Sequence, residues 1–442
     1  MINRISLFLA PILLAVSTLG FGQQLSLEEC IRISLENNLT VKNSKLEIEM
    51  TEHKVSEAKS GLLPTVDLNG QYQYYLEVPA QLIPASTFGG AAGEYTTAKL
   101  GVPQNTSANV QVSQTLFNQK VMIGLKAAKA GRSYSNVQLT LTKEDIVYNV
   151  TSTYYNIQVL SDNLSLLESN ITNMEKTVKT NETLRKNEIV SNSTYKRLLI
   201  NLENLHNEYE NQKISQTKYY NLLKYLMNVP LSDSVEVMPF DFNTAFEEVQ
   251  VGDINQRPDI RLQQEQIKLY ELDRKSTISG YYPTLSANFF SGYTGYNSKF
   301  APFETINNQW FNNTYFTLSL KIPVFDGFTK KYQVKQKSVT LQKSINSLTD
   351  LKLKAERDAL DAVNNYTSNK NLVANSKRSL ELAEQLFKDA SIEYNNGLIN
   401  ITDLLDVQDD LSDARNNYST ALVNLKIAEL DVKKANGQLV QP

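Results

Sequence analysis

The chain has 442 residues, and its 44 lysines and arginines against 47 aspartates and glutamates give a formal net charge of −3. This balance gives no support to a nucleic-acid-binding surface. The single cysteine, Cys30, excludes an intramolecular disulfide. The residues before it, Leu27-Glu28-Glu29, lack the small side chains of a lipidation site. We therefore predict that Cys30 is a buried helix thiol.

The first 22 residues have the organisation of a secretory signal. Arg4 precedes an apolar core from Ile5 to Leu19, which is interrupted by Pro11. We predict that residues 1–22 form a signal peptide and that cleavage falls near Gln23. A permanent membrane anchor is the alternative, but it needs about 20 uninterrupted apolar residues, and this segment falls short.

A helical pattern and then two alternating segments follow the signal. Apolar positions from Leu25 to Ser60 predict a helix pair or one kinked helix. Period two then takes over, and we predict strands at about 65–76 and 108–117 with one apolar and one polar face, as in a barrel wall. The stretch from Val78 to Thr106 is rich in Gly, Ala and Thr and is predicted as the loop between them.

A seven-residue ladder marks the long helix that follows, and the same ladder returns about 209 residues later. A period of seven implies helices that supercoil around their neighbours. The motif Gly61–Thr65 before strand one also returns, as Gly280–Thr284. These duplications predict two structural repeats. The ladder positions are Val150, Ile157, Leu164, Ile171 and Val178, then Ala359, Tyr366, Val373, Leu380 and Phe387.

The domain boundaries follow from this duplication. We predict a first repeat at 23–227, a linker at 228–256 that packs against the helices, and a second repeat at 257–442. The second repeat has strands predicted at about 284–296 and 314–325, each pair of strands being followed by a long helical hairpin.

The second repeat contains a long loop and a very long helix. The loop, Asn297–Asn313, carries the only tryptophan, Trp310. The helix is predicted from about Lys331 to Tyr394, or roughly 95 Å at 1.5 Å per residue. Its ladder is extended by Ile345 at its start. In the last helix a row of large residues from Leu404 onward runs beside a row of alanines, which allows a neighbouring helix to approach closely.

Four strands cannot close a membrane barrel, because known barrels begin at about eight. Two copies of the chain give eight strands and a filled interior, whereas three give twelve and leave a passage. The predicted fold class is therefore mainly α with membrane β: a homotrimeric twelve-stranded barrel continued by a long α-helical coiled-coil tunnel. Aromatic residues near strand ends are predicted at the interface with outer-membrane lipid, with an aromatic edge on a soluble sheet as the alternative. They are Tyr72, Tyr74, Phe289, Tyr293, Trp310, Tyr315 and Phe316.

Several motifs together resemble the TolC-like outer-membrane factors of efflux and type I secretion systems. These are Gly-x-x-Pro-Thr before strands one and three, Leu226–Pro230 closing the first repeat, Pro323–Phe328 after strand four and Tyr394–Asp406 between the last helices. The resemblance covers nearly all of the mature chain. It implies an outer-membrane location, a homotrimer and a passive conduit that works with a periplasmic adaptor and an inner-membrane pump of the RND, ABC or MFS type.

The resemblance also assigns roles to the two turns between long helices. It implies a periplasmic gate, in which Asp403 and Asp406 form carboxylate rings, although N-cap chemistry is the alternative explanation for Asp403. The gate residues are Asp403, Asp406, Tyr394, Ser193 and Thr194. The predicted adaptor contacts are Glu188, Ile189, Val190, Ser191, Gly397, Leu398, Ile399 and Asn400.

The chain departs from the family pattern at both turns. Ile399 stands where the family has a basic residue, so the ionic latch that this residue would make is absent. In the first turn, Glu188 replaces the usual glycine and Thr194 stands where an aspartate is common. We therefore expect the closed state to be held differently in this chain.

No catalytic set is found in the sequence. His53 and His206 lie alone in helical patterns, and Gly89–Gly93 neither follows a buried strand nor opens a helix, as a phosphate loop would. We predict no enzyme activity, no cofactor and no metal. Two alternatives to the conduit remain: a periplasmic adaptor, which predicts one hairpin and a lipoyl-like β domain, and a coiled-coil structural protein, which has no need of four apolar-faced strands.

Overall fold

A computed structural model describes residues 24–240, 249–301 and 303–440. The predicted signal peptide, 1–22, and Phe242 of the predicted linker lie outside these ranges. Short 3-10 turns occur at Ala85–Phe88, Ile254–Gln256, Ser279–Tyr281 and Ile306–Asn308. The longer elements are β1 (Gln24–Leu25), α1 (Leu27–Asn37), α2 (Leu39–Ser60), β2 (Thr65–Tyr74), β3 (Ala80–Pro84), β4 (Tyr95–Lys99), β5 (Gln104–Asn118), α3 (Gln119–Lys186), α4 (Asn192–Met227), β6 (Glu236–Val237), α5 (Pro258–Ile278), β7 (Thr284–Asn297), β8 (Trp310–Lys321), α6 (Thr329–Asn395) and α7 (Ile401–Ala435).

The chain divides into two compact units. The helical unit contains residues 1–45, 138–261 and 351–442, and the sheet unit contains residues 46–137 and 262–350. Each unit therefore draws on both sequence repeats.

The first ladder lies in the core of the helical unit. Val150 and Ile157 are fully buried there, in a cluster that also takes in residues of α1 and α4. Tyr154 links this cluster to β1 and to the residue after β6. Its hydroxyl donates to Leu25 O at 3.0 Å and accepts from Met238 N at 3.2 Å. Cys30 is buried in the same cluster, as predicted.

A second cluster forms where α6 and α7 pack together. Ala359, Tyr366 and Val373 of α6 are buried against Leu425 and the alanine row of α7. The small side chains of the alanine row let the backbones of α6 and α7 approach closely. This explains why a row of alanines runs beside the row of large residues in α7. Ile345, predicted as part of the α6 ladder, is exposed in the sheet unit.

The sheet unit contains a four-stranded antiparallel sheet in the order β2-β5-β7-β8. Two sequence predictions of its limits were wrong. The predicted loop 78–106 contains the β3–β4 hairpin, and β5 begins at Gln104 instead of about 108. The last strand is Trp310–Lys321 instead of about 314–325, so Trp310 belongs to the strand and not to the loop before it.

The strand register collects apolar side chains on one face of the sheet. Val66 lies opposite Val112, Val112 opposite Phe289, and Phe289 opposite Phe316. A bulge between Thr115 and Phe117 makes Leu116 an extra residue, so Phe117, and not Leu116, lies opposite Leu285. Within the single chain this apolar face is largely exposed, and the exposed members include Val66, Leu68, Phe316, Leu318 and Leu320.

One carboxyl is buried inside the helical unit. Glu144 of α3 is 3% exposed, and its Oε1 has no hydrogen-bond partner. Burial raises the pKa of Glu144 to about 7; Lys434 opposes this effect, and Asp259 adds to it. Between pH 4.5 and about 7, the folded chain therefore holds a proton on Glu144 that the unfolded chain has already released.

We expect this proton to make the helical unit more stable in acid. A raised carboxyl pKa contributes its full stability below the unfolded value of 4.5, and that stability is lost as pH rises toward about 7. The expected loss is about 2 kcal/mol, reduced from the full shift by screening from solvent and neighbouring charges. Urea unfolding from pH 4.5 to 8 measures it. Glu144→Gln should remove this part of the pH dependence, and exposed Glu356→Gln should not; equal profiles for wild type and Glu144→Gln would contradict the prediction.

Candidate functional site

The turn between α3 and α4 is closed by a left-handed cap. Glu188 has φ 60°, and its N–H donates to Arg185 O at 3.0 Å. The next N–H, from Ile189, donates to Leu184 O at 2.9 Å. This pair of bonds is a Schellman motif, which satisfies the last carbonyls of a helix.

The turn between α6 and α7 has the same backbone geometry. Gly397 has φ 73°, and its N–H donates to Tyr394 O at 2.9 Å. The N–H of Leu398 donates to Glu393 O at 2.9 Å. The two turns are thus structural equivalents, and Glu188 occupies the position that Gly397 fills in the second repeat.

We predict opposite stability effects at these equivalent positions. Left-handed φ strains any side chain that has a Cβ, so Glu188→Gly should stabilise the first turn by about 0.5–1 kcal/mol. Gly397→Ala should destabilise the second by about 1 kcal/mol, through strain alone, because a Cβ there meets nothing within 4 Å. Amide hydrogen exchange at Ile189 and Leu398 measures both effects. Asn187→Gly, at a position without positive φ, is the control and should not stabilise; slower exchange in Gly397→Ala would contradict the prediction.

Both turns continue into capped helices. Ser191 Oγ accepts from Thr194 N at 3.1 Å and lies 2.9 Å from the hydroxyls of Ser193 and Thr194. The predicted gate residues Ser193 and Thr194 are therefore part of the cap of α4. At α7, Asn400 Oδ1 accepts from Asp403 N at 3.1 Å, and Asp403 Oδ2 accepts from Asn400 N at 3.3 Å.

Asp403 is thus one half of a capping box, which was the alternative explanation for it. The cap uses a neutral N–H donor, so it leaves the negative charge of the carboxylate in place. Asp403 and Asp406 are both exposed.

Further acids follow Asp406 along α7. Burial raises the pKa of Asp409, and the carboxylates of Asp406, Asp413 and Asp410 add to this effect, as does that of Glu208 on α4. The start of α7 is therefore a concentrated negative region, in which like charges already repel within one chain.

A small apolar cluster lies beneath both turns. Met174 of α3, Leu198 of α4 and two residues of α7, Ile401 and Leu405, are buried together, and Leu198 has no exposed surface. Tyr394, a predicted gate residue, packs against this cluster. The cluster therefore joins the first long hairpin to the second.

The outermost side chains of the two turns are apolar and exposed. Ile189 is 69% exposed and Leu398 is 73% exposed. They occupy the same position, one residue after the left-handed cap, so the repeat presents two equivalent apolar points. Isolated exposed apolar residues are ordinary; here two of them occupy equivalent positions in the two repeats.

Six of the seven predicted interface aromatics share the apolar face of the sheet. Phe289 lies opposite Phe316 within the sheet, and four others lie toward the loop end of the strands. Tyr315 lies on the opposite face, as alternation directs, and stacks there on Phe290 with the ring centroids 4.9 Å apart. The four at the loop end are Tyr72, Tyr74, Tyr293 and Trp310.

A second group of aromatics at the other end of the strands was missed in the sequence. Tyr282, Phe325 and Phe328 are exposed there, and Lys331 lies over the Phe328 ring at 5.3 Å. Rings with adjacent lysines are typical of a membrane–water interface. The signal was present in the sequence, as aromatics next to the Gly-x-x-Pro-Thr motif and in the segment after strand four.

A family model described as outer membrane efflux protein matches residues 30–196 and 254–438, which is most of the chain. The chain belongs to the outer membrane efflux protein family. The match falls in two blocks, one in each predicted repeat. Within the described ranges, no helix combines the length and apolar character needed to cross a membrane.

Relatives and solved structures of outer membrane efflux proteins agree with this assignment. Outer membrane protein TolC of Escherichia coli (strain K12) is 22% identical over 454 residues, which cover 98% of this chain and 86% of that protein. The outer membrane channel CmeC of Campylobacter jejuni has a TM-score of 0.77 at 17% identity, covering 93% of this chain and 85% of that one. The open state of the MtrE outer membrane channel of Neisseria gonorrhoeae has a TM-score of 0.73 at 19% identity, covering 93% and 88%.

Membership of the outer membrane efflux protein family confirms several predictions. The predicted family, the mainly helical fold with a membrane-type sheet and two-fold repeat, and the outer-membrane location are confirmed. The family is one of efflux channels, which disfavours the adaptor and coiled-coil alternatives. The predicted residue roles at the turns and at the sheet stay predictions.

Proposed function

We propose that this chain is the outer-membrane exit duct of a tripartite efflux or type I secretion system and acts as a passive conduit. The observation that carries this proposal is the four-stranded sheet with an exposed apolar face and free edges at β2 and β8. Because all neighbouring strands are antiparallel, β8 of one copy and β2 of the next would also run antiparallel. Three copies would then close a barrel of twelve strands around a passage.

The gate of this conduit is proposed at the two helical turns. In a trimer, Asp403 and Asp406 would supply rings of carboxylates, which attract cations and narrow the range of ions that enter. Tyr394 would support the closed state through its contact with the Leu198 cluster, and Ser193 and Thr194 through the cap of α4. Apolar packing under the turns would take the place of the latch that Ile399 cannot make.

The exposed residues of the same turns are proposed to receive the periplasmic adaptor, which would couple the duct to an inner-membrane pump. Ile189 and Leu398 supply matched apolar contacts, and Glu188 and Gly397 set the backbone that presents them. The full surface comprises Glu188, Ile189, Val190, Ser191, Gly397, Leu398, Ile399 and Asn400.

Two measurements on detergent-purified protein test the proposed function. Chemical cross-linking and mass measurement should give three copies, and reconstitution into a planar bilayer should give discrete cation-selective conductance. A monomer that remains in solution without detergent and conducts no ions would exclude the conduit.

The adaptor surface predicts a specific mutant effect. Leu398→Ser combined with Ile189→Ser should weaken adaptor capture about tenfold or more, since each substitution removes an apolar side chain from the contact. Pull-down with a purified periplasmic adaptor from the same organism measures capture. Leu382→Ser, on an exposed leucine of α6 away from the turn, is the matched control. Trimer formation should be unchanged in both variants; its loss in the turn variant would assign these residues to folding instead.

A further inference from the structure

An unusually polar cavity, whose acidic side chains are exposed to solvent, lies between α3, α4 and α7 of the helical unit. Its volume is about 310 Å³, which is within the size range of small-ligand sites. Interhelical space in a coiled coil is ordinarily filled by apolar ladder residues. Here amide, hydroxyl and carboxyl side chains predominate. The polar lining consists of Asn163, Asn170, Asn201, Asn204, Glu208, Gln212, Asp409, Ser412, Asp413 and Asn416.

The cavity offers hydrogen-bond acceptors whose own amide donors are already used. Asn163 is 7% exposed; its Nδ2 donates to Asn416 Oδ1 at 3.0 Å, while its Oδ1 is buried without a partner. Gln212 repeats the pattern, since its Nε2 donates to Glu208 at 3.4 Å and its buried Oε1 has no partner. Buried acceptors without donors are costly, and an ordered ion or water is the usual partner of such groups.

The charge of the lining has one sign. Glu208, Asp409 and Asp413 contribute three carboxyl groups, and no lysine, arginine or histidine lines the cavity. Glu208, Asp409 and Asp413 line the same cavity, so their like charges repel one another. A cation placed among them relieves this repulsion and also satisfies the unpaired amide oxygens.

We propose that this cavity binds a hydrated divalent cation of the Mg²⁺ or Mn²⁺ type. No three acidic, histidine or cysteine side chains within the described ranges are placed to hold one metal ion directly. A cation that keeps several of its waters fits this arrangement, because the waters reach oxygens that are too far apart for direct ligation. At about 30 Å³ per water, the cavity accommodates an ion with its first shell.

This site is separate from the proposed gate. Asp403 and Asp406 do not line the cavity, whose acids come from the next turns of α7 and from α4. The cavity is also complete within one chain, so binding does not depend on a trimer or on conduction. A bound ion would join the first long hairpin to α7 above the Leu198 cluster.

Paramagnetic resonance of Mn²⁺ with the full-length purified protein tests the proposal, together with the midpoint of thermal unfolding with and without MgCl₂. Wild type should bind Mn²⁺ and unfold at a higher temperature with Mg²⁺. Asp409→Asn combined with Asp413→Asn should weaken Mn²⁺ binding about tenfold or more and lose the Mg²⁺ shift. Asp350→Asn combined with Glu356→Gln, at two exposed acids of α6, removes the same number of charges outside both the cavity and the proposed gate and should retain both properties.

Three results would overturn the proposal: wild type that binds no Mn²⁺, an equal loss of binding in the Asp350 and Glu356 variant, or equal binding in all proteins. Without divalent ions, the Asp409 and Asp413 variant should unfold at the same or a higher temperature than wild type, because it lacks like-charge repulsion. If that variant fails to fold, Asp413→Asn alone should still weaken Mn²⁺ binding, and unchanged binding would overturn the proposal.

Discussion

Replacement of Asp403 and Asp406 by asparagine in the same chain should reduce the block of the purified channel by multivalent cations at least about tenfold. In a trimer this change removes six negative charges from the proposed entrance. Cation selectivity should fall with it, because the remaining lining would no longer concentrate cations. Planar-bilayer recordings with a multivalent cation added on the side of the helical turns measure both quantities.

Asparagine is preferable to alanine here because of the cap at the start of α7. Asp403 Oδ2 accepts from the N–H of Asn400, and an asparagine carbonyl oxygen retains that acceptor. Alanine would remove it at a cost of about 1 kcal/mol and confuse a gating effect with loosening of the helix end. Asp350→Asn combined with Glu356→Gln, two exposed acids of α6, is the matched control. Block and selectivity that survive in the Asp403 and Asp406 variant would remove both residues from the gate.

Leu198→Ala should have the second large effect, by weakening the packing beneath the turns. Leu198 is fully buried against Met174, Ile401 and Leu405. Truncation of such a leucine typically costs about 2–5 kcal/mol. The loss falls on the contact between the first hairpin and α7, so the time-averaged conductance should rise as the closed arrangement becomes less stable.

Leu223→Ala separates gating from general destabilisation. Leu223 is also a fully buried leucine of α4, but it belongs to the cluster around Cys30. Both variants should lose comparable unfolding free energy, and only Leu198→Ala should raise conductance. Equal conductance in the two variants would show that the Leu198 cluster does not hold the gate.

Periodicity in the sequence was sufficient to predict the buried sides of the long helices and the apolar face of the strands. The seven-residue ladders identify the sides of α3, α6 and α7 that become buried, and alternation identifies the apolar sheet face. Both patterns work because burial on one side of a regular element repeats with that element's own period.

Local exceptions to regular geometry were not predictable in this way. The bulge that makes Leu116 an extra residue shifts Phe117 onto the apolar face, and nothing in the alternation marks it. Glu188 adopts a conformation that sequence reasoning reserves for glycine, because the two hydrogen bonds of the turn impose it. The β3–β4 hairpin was missed because each of its strands has only five residues, too few to show a clear alternation.

The polar cavity could not be predicted from the sequence, for a different reason. Asn163 and Asn416 are 253 positions apart, and each alone is an ordinary polar residue on a long helix. Only the packing of three helices brings them to one place. Asp403 and Asp406, in contrast, were identified from a local motif, because a helix start and its first turn are encoded by neighbouring residues.

The sheet of one chain ends at two edge strands, β2 and β8, and much of its apolar face is exposed within the described part of that chain. A newly exported subunit therefore carries a template for indiscriminate aggregation. Escort by a holding chaperone, rapid delivery to lipid, or immediate meeting with sister subunits must suppress that hazard. Assembly of this protein should consequently depend on its concentration, and unfolding measurements on its variants are comparable only at one fixed protein concentration.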